Sequence, residues 1–246
     1  MNARLPSSAS AIHARQPIGQ IAVQLPGATA VFRRHKLDFC CGGHVSLQQA
    51  AADKGLDLEA LLAELSALQR PAEAPAIEDP AQLIGHLLQR YHAVHREQLP
   101  ELIRMARRVE AVHRGHPDVP AGLADLLEDI HDELLSHMHK EEAILFPALQ
   151  AGGNPFVDQP IQVMRMEHTT HGEALEQLAA LTHDATPPQG ACNTWRALYT
   201  GIGQFSEDLV QHIHLENNLL FPQFEAAPAT AAPVQGCGSG SGCGCQ

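Results

Sequence analysis

Aromatic residues are scarce in this chain: one Trp, two Tyr and seven Phe, 4% of its 246 residues. Sheets draw on aromatic and β-branched side chains, so this scarcity, beside abundant Ala and Leu, argues for helices. Basic residues are also few, with 16 Lys plus Arg against 28 Asp plus Glu and a net charge of −12. No Lys/Arg cluster offsets that excess, and a phosphate backbone would be repelled, which argues against nucleic acid as a partner. No apolar run approaches the roughly 20 residues that span a bilayer, so no membrane partner is expected. The opening MNARLPSSASAIHARQ lacks the apolar core of a secretory signal, and the chain reads as cytoplasmic. Its six cysteines fall as an adjacent pair (Cys40, Cys41), a single (Cys192) and a late cluster (Cys237, Cys243, Cys245). That is not the spaced framework of a disulfide-stapled domain.

What the chain has in excess is histidine, sixteen in all, and a repeated phrase that uses it. HMHKEEAILFP (His137 to Pro147) returns as HIHLENNLLFP (His212 to Pro222). In each copy a histidine precedes a glutamate by four residues, His137 with Glu141 and His212 with Glu216. On an α-helix four residues turn about 400°, which puts the two side chains on one face at metal-ligand spacing. A single His-x-x-x-Glu match is an ordinary surface pair. Here each copy also has an upstream histidine at nearly the same distance: His92 lies 45 residues before His137, and His168 lies 44 before His212. The pattern is a repeated helix pair, with one histidine on the first helix and a histidine plus a glutamate on the second.

The fold expected around this repeat is all-α. Residues 1 to about 14 are polar and expected to be disordered. Residues 15–70 form a small helical domain, with a break near Pro26 and Gly27, a helix capped by Ser46 and another capped by Asp57. PAEAPAIEDP, residues 71–80, is a linker. Residues 81–225 carry four long helical stripes. The first is Ile84, Leu88, His92, His95, Leu99, Leu102, Ala106 and Val109; the second is Leu123, Leu127, Ile130, Leu134, His137, Glu141, Leu145 and Ala148. The third is Ile161, Met164, His168, His171, Leu175, Leu178 and Leu181; the fourth is Trp195, Leu198, Ile202, Phe205, Leu209, His212, Glu216 and Leu219. Short connections favour an antiparallel up-down-up-down bundle. Residues 226–246, rich in Pro, Gly and small side chains, read as a disordered tail.

All four stripes place a ligand-type side chain on the core face, where an unpartnered polar group is costly. One histidine from each helix, with a glutamate from the second and fourth, gives His92, His137, Glu141, His168, His212 and Glu216. Four imidazoles and two carboxylates exceed one tetrahedral ion and suit two metals bridged by the glutamates, with positions open for a small ligand. Ferritin-like sites use Glu-x-x-His at i,i+3 instead, so the pattern points toward a site for a diatomic gas. A lone core histidine is usually a packing residue, and for the remaining histidines that reading stands. His139 and His214, about 200° round the helix from a ligand, should face out. His95 and His171 share the stripes and could ligate, support a ligand or sit at a boundary; Glu133 and Glu167 could orient ligands or be surface charges.

RYHAVHREQLPEL (from Arg90), SHMHKEEAILFP (from Ser136), VMRMEHTTHGE (from Val163) and HIHLENNLLFP (from His212) together resemble the hemerythrin-like domain of the RIC (repair of iron centres) proteins. The LDFCCGG run ending at Gly43 resembles that family's N-terminal ScdA-type domain. The resemblance implies a hemerythrin-like bundle with two non-haem iron ions, bridged by oxo or hydroxo groups and by carboxylates. It selects His92 over His95, with His137, Glu141, His168, His212 and Glu216 as the other ligands. It also implies repair of iron-sulfur clusters damaged by nitrosative or oxidative stress, by iron donation or nitric oxide handling, with damaged iron-sulfur proteins as partners. A protein that only binds or senses nitric oxide or oxygen, and a di-iron nitric oxide reductase, need the same centre, and a homodimer is left open. His171 could still supply a fifth histidine. Cys40 and Cys41, too close for an unstrained disulfide, present thiolates for transfer or redox exchange, or one of them is buried for structure. Cys192 reads as packing, and the cysteines of the tail either take a soft metal or are incidental thiols.

Overall fold

A computed structural model describes residues 12–25, 27–68, 79–153 and 157–225. The opening polar stretch to residue 11, Pro26, most of the expected linker and the tail with Cys237, Cys243 and Cys245 lie outside the described residues. Among the described residues there is no strand, and the fold is all-α.

Four short helices come first: α1 (Ile18–Gln24), α2 (Ala28–Arg34), α3 (Leu47–Asp53) and α4 (Leu58–Ala67). Ser46 caps α3 by accepting from the Gln49 N–H, and Asp57 caps α4 by accepting from Glu59 and Ala60. Ile18, Ile21, Phe32, Phe39, Leu47 and Leu65 are fully buried in the small core these helices enclose.

The bundle begins one residue earlier than expected, at Pro80. Asp79 accepts from the Gln82 N–H, and proline at the first helical turn forfeits no bond. Its first helix joins α5 (Pro80–Leu87) to α6 (Ala93–Val112) through a π-helical turn, Leu88–His92. The second joins α7 (Leu123–Lys140) to α8 (Phe146–Gln150) through another, Glu141–Leu145. The third, α9 (Asp158–Thr182), is uninterrupted, and the fourth, α10 (Asn193–Leu215), runs into a π turn at Glu216–Leu220. Helix α6 packs on α7 and α10, and α9 packs on both α7 and α10, closing a four-helix ring.

Each π turn holds one extra residue, so the apolar stripe changes phase there. Strict α periodicity places Leu88, Ala148 and Leu219 inside. The structure buries Leu87 with Tyr91, Leu149, and Leu220 instead, and leaves those three half-exposed. The bundle core is accordingly in two parts. One contains Leu99, Leu134, Trp195 and Phe205; the other contains Leu83, Phe146, Ile161 and Phe221. The histidine and glutamate layer lies between them along every helix.

The N-terminal helices dock on α9 and on the end of α10. Asn217 and Asn218 donate from their side chains to the Cys40 and Phe39 carbonyls at 3.1 and 3.3 Å. Glycine is required at position 43, where a Cβ would fall 2.6 Å from the Phe39 carbonyl oxygen. This docking overturns one expectation. His214 does not face out: it is 3% exposed, beneath the edge-on ring of Phe39, because the face of α10 turned from the bundle centre meets the N-terminal domain instead of water.

Candidate metal centre

The two π turns that open on Glu141 and Glu216, and the one that ends on His92, bring all six residues named from the repeat into one layer. Each is no more than 2% exposed. They form two groups of four, His92, Glu141, His212 and Glu216, and His137, Glu141, His168 and Glu216, with ligand atoms within 4.8 Å of one another in each. In the first, the His92 Nε2 is 3.1 Å from the His212 Nε2 and 3.4 Å from Glu141 Oε2, while His212 Nε2 is 3.2 Å from Glu216 Oε1. In the second, the His168 Nε2 is 3.2 Å from the His137 Nε2 and 3.1 Å from Glu216 Oε2, while His137 Nε2 is 3.4 Å from Glu141 Oε1. Each glutamate therefore turns one oxygen to each histidine pair.

Donor atoms about 2.1 Å from one ion are separated by roughly 3.0 Å in an octahedron and 3.4 Å in a tetrahedron. The spacings here fall in that interval. Both Glu141 oxygens and Glu216 Oε2 are buried without a hydrogen-bond partner. Two buried carboxylates facing imidazole lone pairs are stable only if a proton or a metal ion lies between them. Without metal the proton goes chiefly to His137: burial opposes its charge, but Glu141 and Glu216 outweigh burial and hold the imidazolium up to about 9. His92 is likewise raised, against burial, by Glu141, Glu216 and Glu142. Burial and the neighbouring His92 keep His212 neutral, well below its ordinary range. The layer fits a set of metal ligands by its donors, its spacings and its orphaned oxygens.

The outer nitrogens set the ring orientation. His92 Nδ1 meets Glu142 at 2.8 Å, His137 Nδ1 meets Glu167 at 2.8 Å and His168 Nδ1 meets the Asn217 side-chain oxygen at 2.9 Å. A proton on Nδ1 donated outward leaves the Nε2 lone pair aimed into the layer. His212 Nδ1 has no such acceptor; its ring lies parallel to Tyr91, centroids 5.5 Å apart. Arg96 pairs with Glu142, and Lys140 with Glu167.

Glu167 is therefore a histidine partner, whereas Glu133 is exposed on α7. Glu142 and Asn217 were missed by the sequence reading, although the repeat carries the signal: each follows the layer's glutamate by one residue, and each bonds a histidine from the neighbouring helix. Phe146 and Phe221 match in the same way, stacked on His92 and His168 at 5.7 and 6.0 Å. His95 and His171 are buried but outside both groups, their nitrogens unpartnered. Burial first, and then the neighbouring imidazoles, pushes both down to about 3. His139 is exposed.

Cys40 and Cys41 are half-exposed free thiols. Their sulfurs lie 3.7 Å apart, and Cys41 Sγ lies 3.6 Å from the His168 backbone carbonyl, so the cysteine turn rests on the helix behind the layer. Cys192 is also free and packs against the bundle core as expected, with the His113 Nε2 3.2 Å from its sulfur.

With this geometry in place, the profile of the Hemerythrin HHE cation binding domain matches residues 83–224, and that of ScdA_N, a domain of unknown function (DUF542), matches residues 14–69. The chain is similar to the proteins named iron-sulfur cluster repair protein YtfE from Yersinia pseudotuberculosis serotype IB (strain PB1/+) and from Yersinia pestis (strain Pestoides F). Each is 53% identical over 213 residues, which cover 85% of this chain and 96% of the relative.

Proposed function

Because the chain belongs to the repair-of-iron-centres family of hemerythrin HHE cation binding proteins, we propose that it holds two iron ions and takes part in repairing damaged iron-sulfur clusters. The observation that carries the reading is the exchange of oxygens, in which each buried glutamate serves both histidine pairs. His92 and His212 would hold one ion and His137 and His168 the other, with Glu141 and Glu216 across both. Bound there, iron supplies open positions for a diatomic ligand and a store of metal that can be given up.

The chain's own groups do the rest. Glu142, Glu167 and Asn217 hold three rings with their lone pairs inward. Phe146, Phe221 and Tyr91 lay apolar faces over His92, His168 and His212 and keep water from them. Cys40 and Cys41 stand on the outer side of α9, half-exposed, where a client protein can reach them.

The test is a His137→Ala, His212→Ala double variant and a nitric-oxide-damaged iron-sulfur enzyme. The intact chain should carry about two ions, the loading of a two-metal centre, and restore the client's activity. The double variant should carry almost none and restore nothing. Iron retained near the original loading would refute the ligand assignment. Nitric oxide uptake without any recovery of the client would instead describe a gas-binding protein.

A further inference from the structure

The turn around Phe39 sets out three metal-ligating groups that the bundle layer does not use. Cys40 Sγ lies 3.7 Å from Cys41 Sγ and 3.2 Å from Asp38 Oδ1, and ligand atoms of all three lie within 4.8 Å of one another. Two thiolates about 2.3 Å from one tetrahedral ion are roughly 3.8 Å apart, and a thiolate and a carboxylate oxygen on that ion are roughly 3.6 Å apart. The two sulfurs already span one edge of such a site, and the Asp38 oxygen stands close to the next corner.

The surrounding structure holds these groups in place before any ion arrives. The Cys41 and Gly42 N–H groups donate to the Asp38 carboxylate, each at 2.9 Å. From the bundle, Asn217 donates to the Cys40 carbonyl at 3.1 Å and Asn218 to the Phe39 carbonyl at 3.3 Å. Position 42 must also be glycine, since a Cβ there would fall 2.9 Å from the Asp38 carbonyl oxygen. Phe39 anchors the turn in the small core. Without a cation the hydrogen bond to Cys41, and then burial, push the Cys40 thiol up, because neighbouring thiolates repel. A bound cation reverses that balance and deprotonates the thiols that coordinate it.

Three protein donors make one face of a tetrahedron and leave the fourth corner open, the coordination of a site that exchanges ligands; a structural site is closed by a fourth protein group. Cys40 and Cys41 line a cleft of about 640 Å3, walled by Gln20 on one side and by Arg165 and Asn218 on the other, with room for an incoming side chain. We propose that Asp38, Cys40 and Cys41 form an exchanging site for one thiophilic divalent cation of the Zn2+ class, whose fourth ligand is a thiolate entering this cleft from outside the chain. The thiol protons leave to solvent as the bonds to the ion form, and no electron moves. The site is separate from the bundle layer and does not depend on what that layer holds.

Cobalt(II) tests it, because sulfur-to-cobalt charge-transfer absorbance arises from thiolates and not from the histidines and glutamates of the bundle. Two full-length chains are titrated anaerobically, one with Cys237, Cys243 and Cys245 each replaced by Ser, the other carrying His137→Ala and His212→Ala as well. Both keep only Cys40, Cys41 and Cys192 as thiols. Both should show one thiolate-bound cobalt, displaced by Zn2+ and not by Mg2+. Cys40→Ser or Cys41→Ser should each cut the band by about half, as two thiolates become one, and the pair together should abolish it. Asp38→Asn keeps an oxygen for the two backbone N–H groups; it should weaken binding by at least about 10-fold and leave the band's intensity at saturation. 2-Mercaptoethanol, as the incoming thiolate, should raise the band by about half beyond what it gives with cobalt alone, as two thiolates become three. The absence of a band, or a band that survives the loss of Cys40 and Cys41, overturns the site. A band indifferent to added thiol overturns the open corner and assigns it to a group of the chain such as His44, which lines the same cleft.

Discussion

The side chains one step behind the layer differ from their neighbours only in where they point. Glu133 and Glu167 both read from the sequence as surface charges or ligand partners, yet only Glu167 reaches a histidine. Glu167→Ala and Glu142→Ala should each weaken metal affinity about 10- to 100-fold in competition with a chelator, while Glu133→Ala leaves it unchanged. His214 gives a prediction in pH. Burial lowers its pKa from 6.5 to about 4, so between those values the unfolded chain binds the proton that the folded chain refuses. Its contribution is whole above pH 6.5 and is lost as the pH falls toward 4, by roughly 3 kcal/mol. A His214→Leu variant should lose correspondingly less stability over that range in denaturant melts; equal losses would remove His214 as the cause.

At the scale of the element, the π turns decide what faces inward. Deleting Ala143, an exposed residue in the turn Glu141–Leu145, removes the residue that the π turn absorbs and should keep Leu145 and Phe146 on the core face, whereas inserting one alanine after that position should swing both about 100° away from the core. For the insertion we expect a loss of about 2–3 kcal/mol in thermal unfolding, the worth of one large buried apolar side chain, together with loss of metal. These turns also mark where the sequence stopped being readable. The helices, their order and the convergence of the six repeated residues follow from period and repetition, because an α-helix maps spacing onto direction. An extra residue per π turn breaks that map without changing composition, which is why Leu88 and Leu219 were placed inside and Tyr91 and Leu220 were not. His214 was misplaced for a different reason: a helical wheel knows which way a side chain points but not whether a second domain waits there. Glu142 and Asn217 were legible and passed over, since they occupy one position of the repeat with unlike side chains.

In the whole molecule the two domains share Phe39, which is buried in the small core and lies edge-on to His214 of the bundle. Phe39→Ala should cost about 3–5 kcal/mol and raise the pKa of His214 toward its ordinary value, readable by its ring resonances in NMR. The exposed Lys36–Asp184 bridge between the same domains should contribute almost nothing measurable. The division of the bundle core by the histidine and glutamate layer has a last consequence. The two apolar clusters are joined only through helices that pass a charged seam, so the four helices carry two local folding units in series, and their cooperativity depends on what occupies the seam. With a cation there the bundle should unfold as one body, and without it the end nearest Leu83 and Phe221 should open while the end around Trp195 stays closed, a difference that amide hydrogen exchange at Leu83 and Leu198 would read.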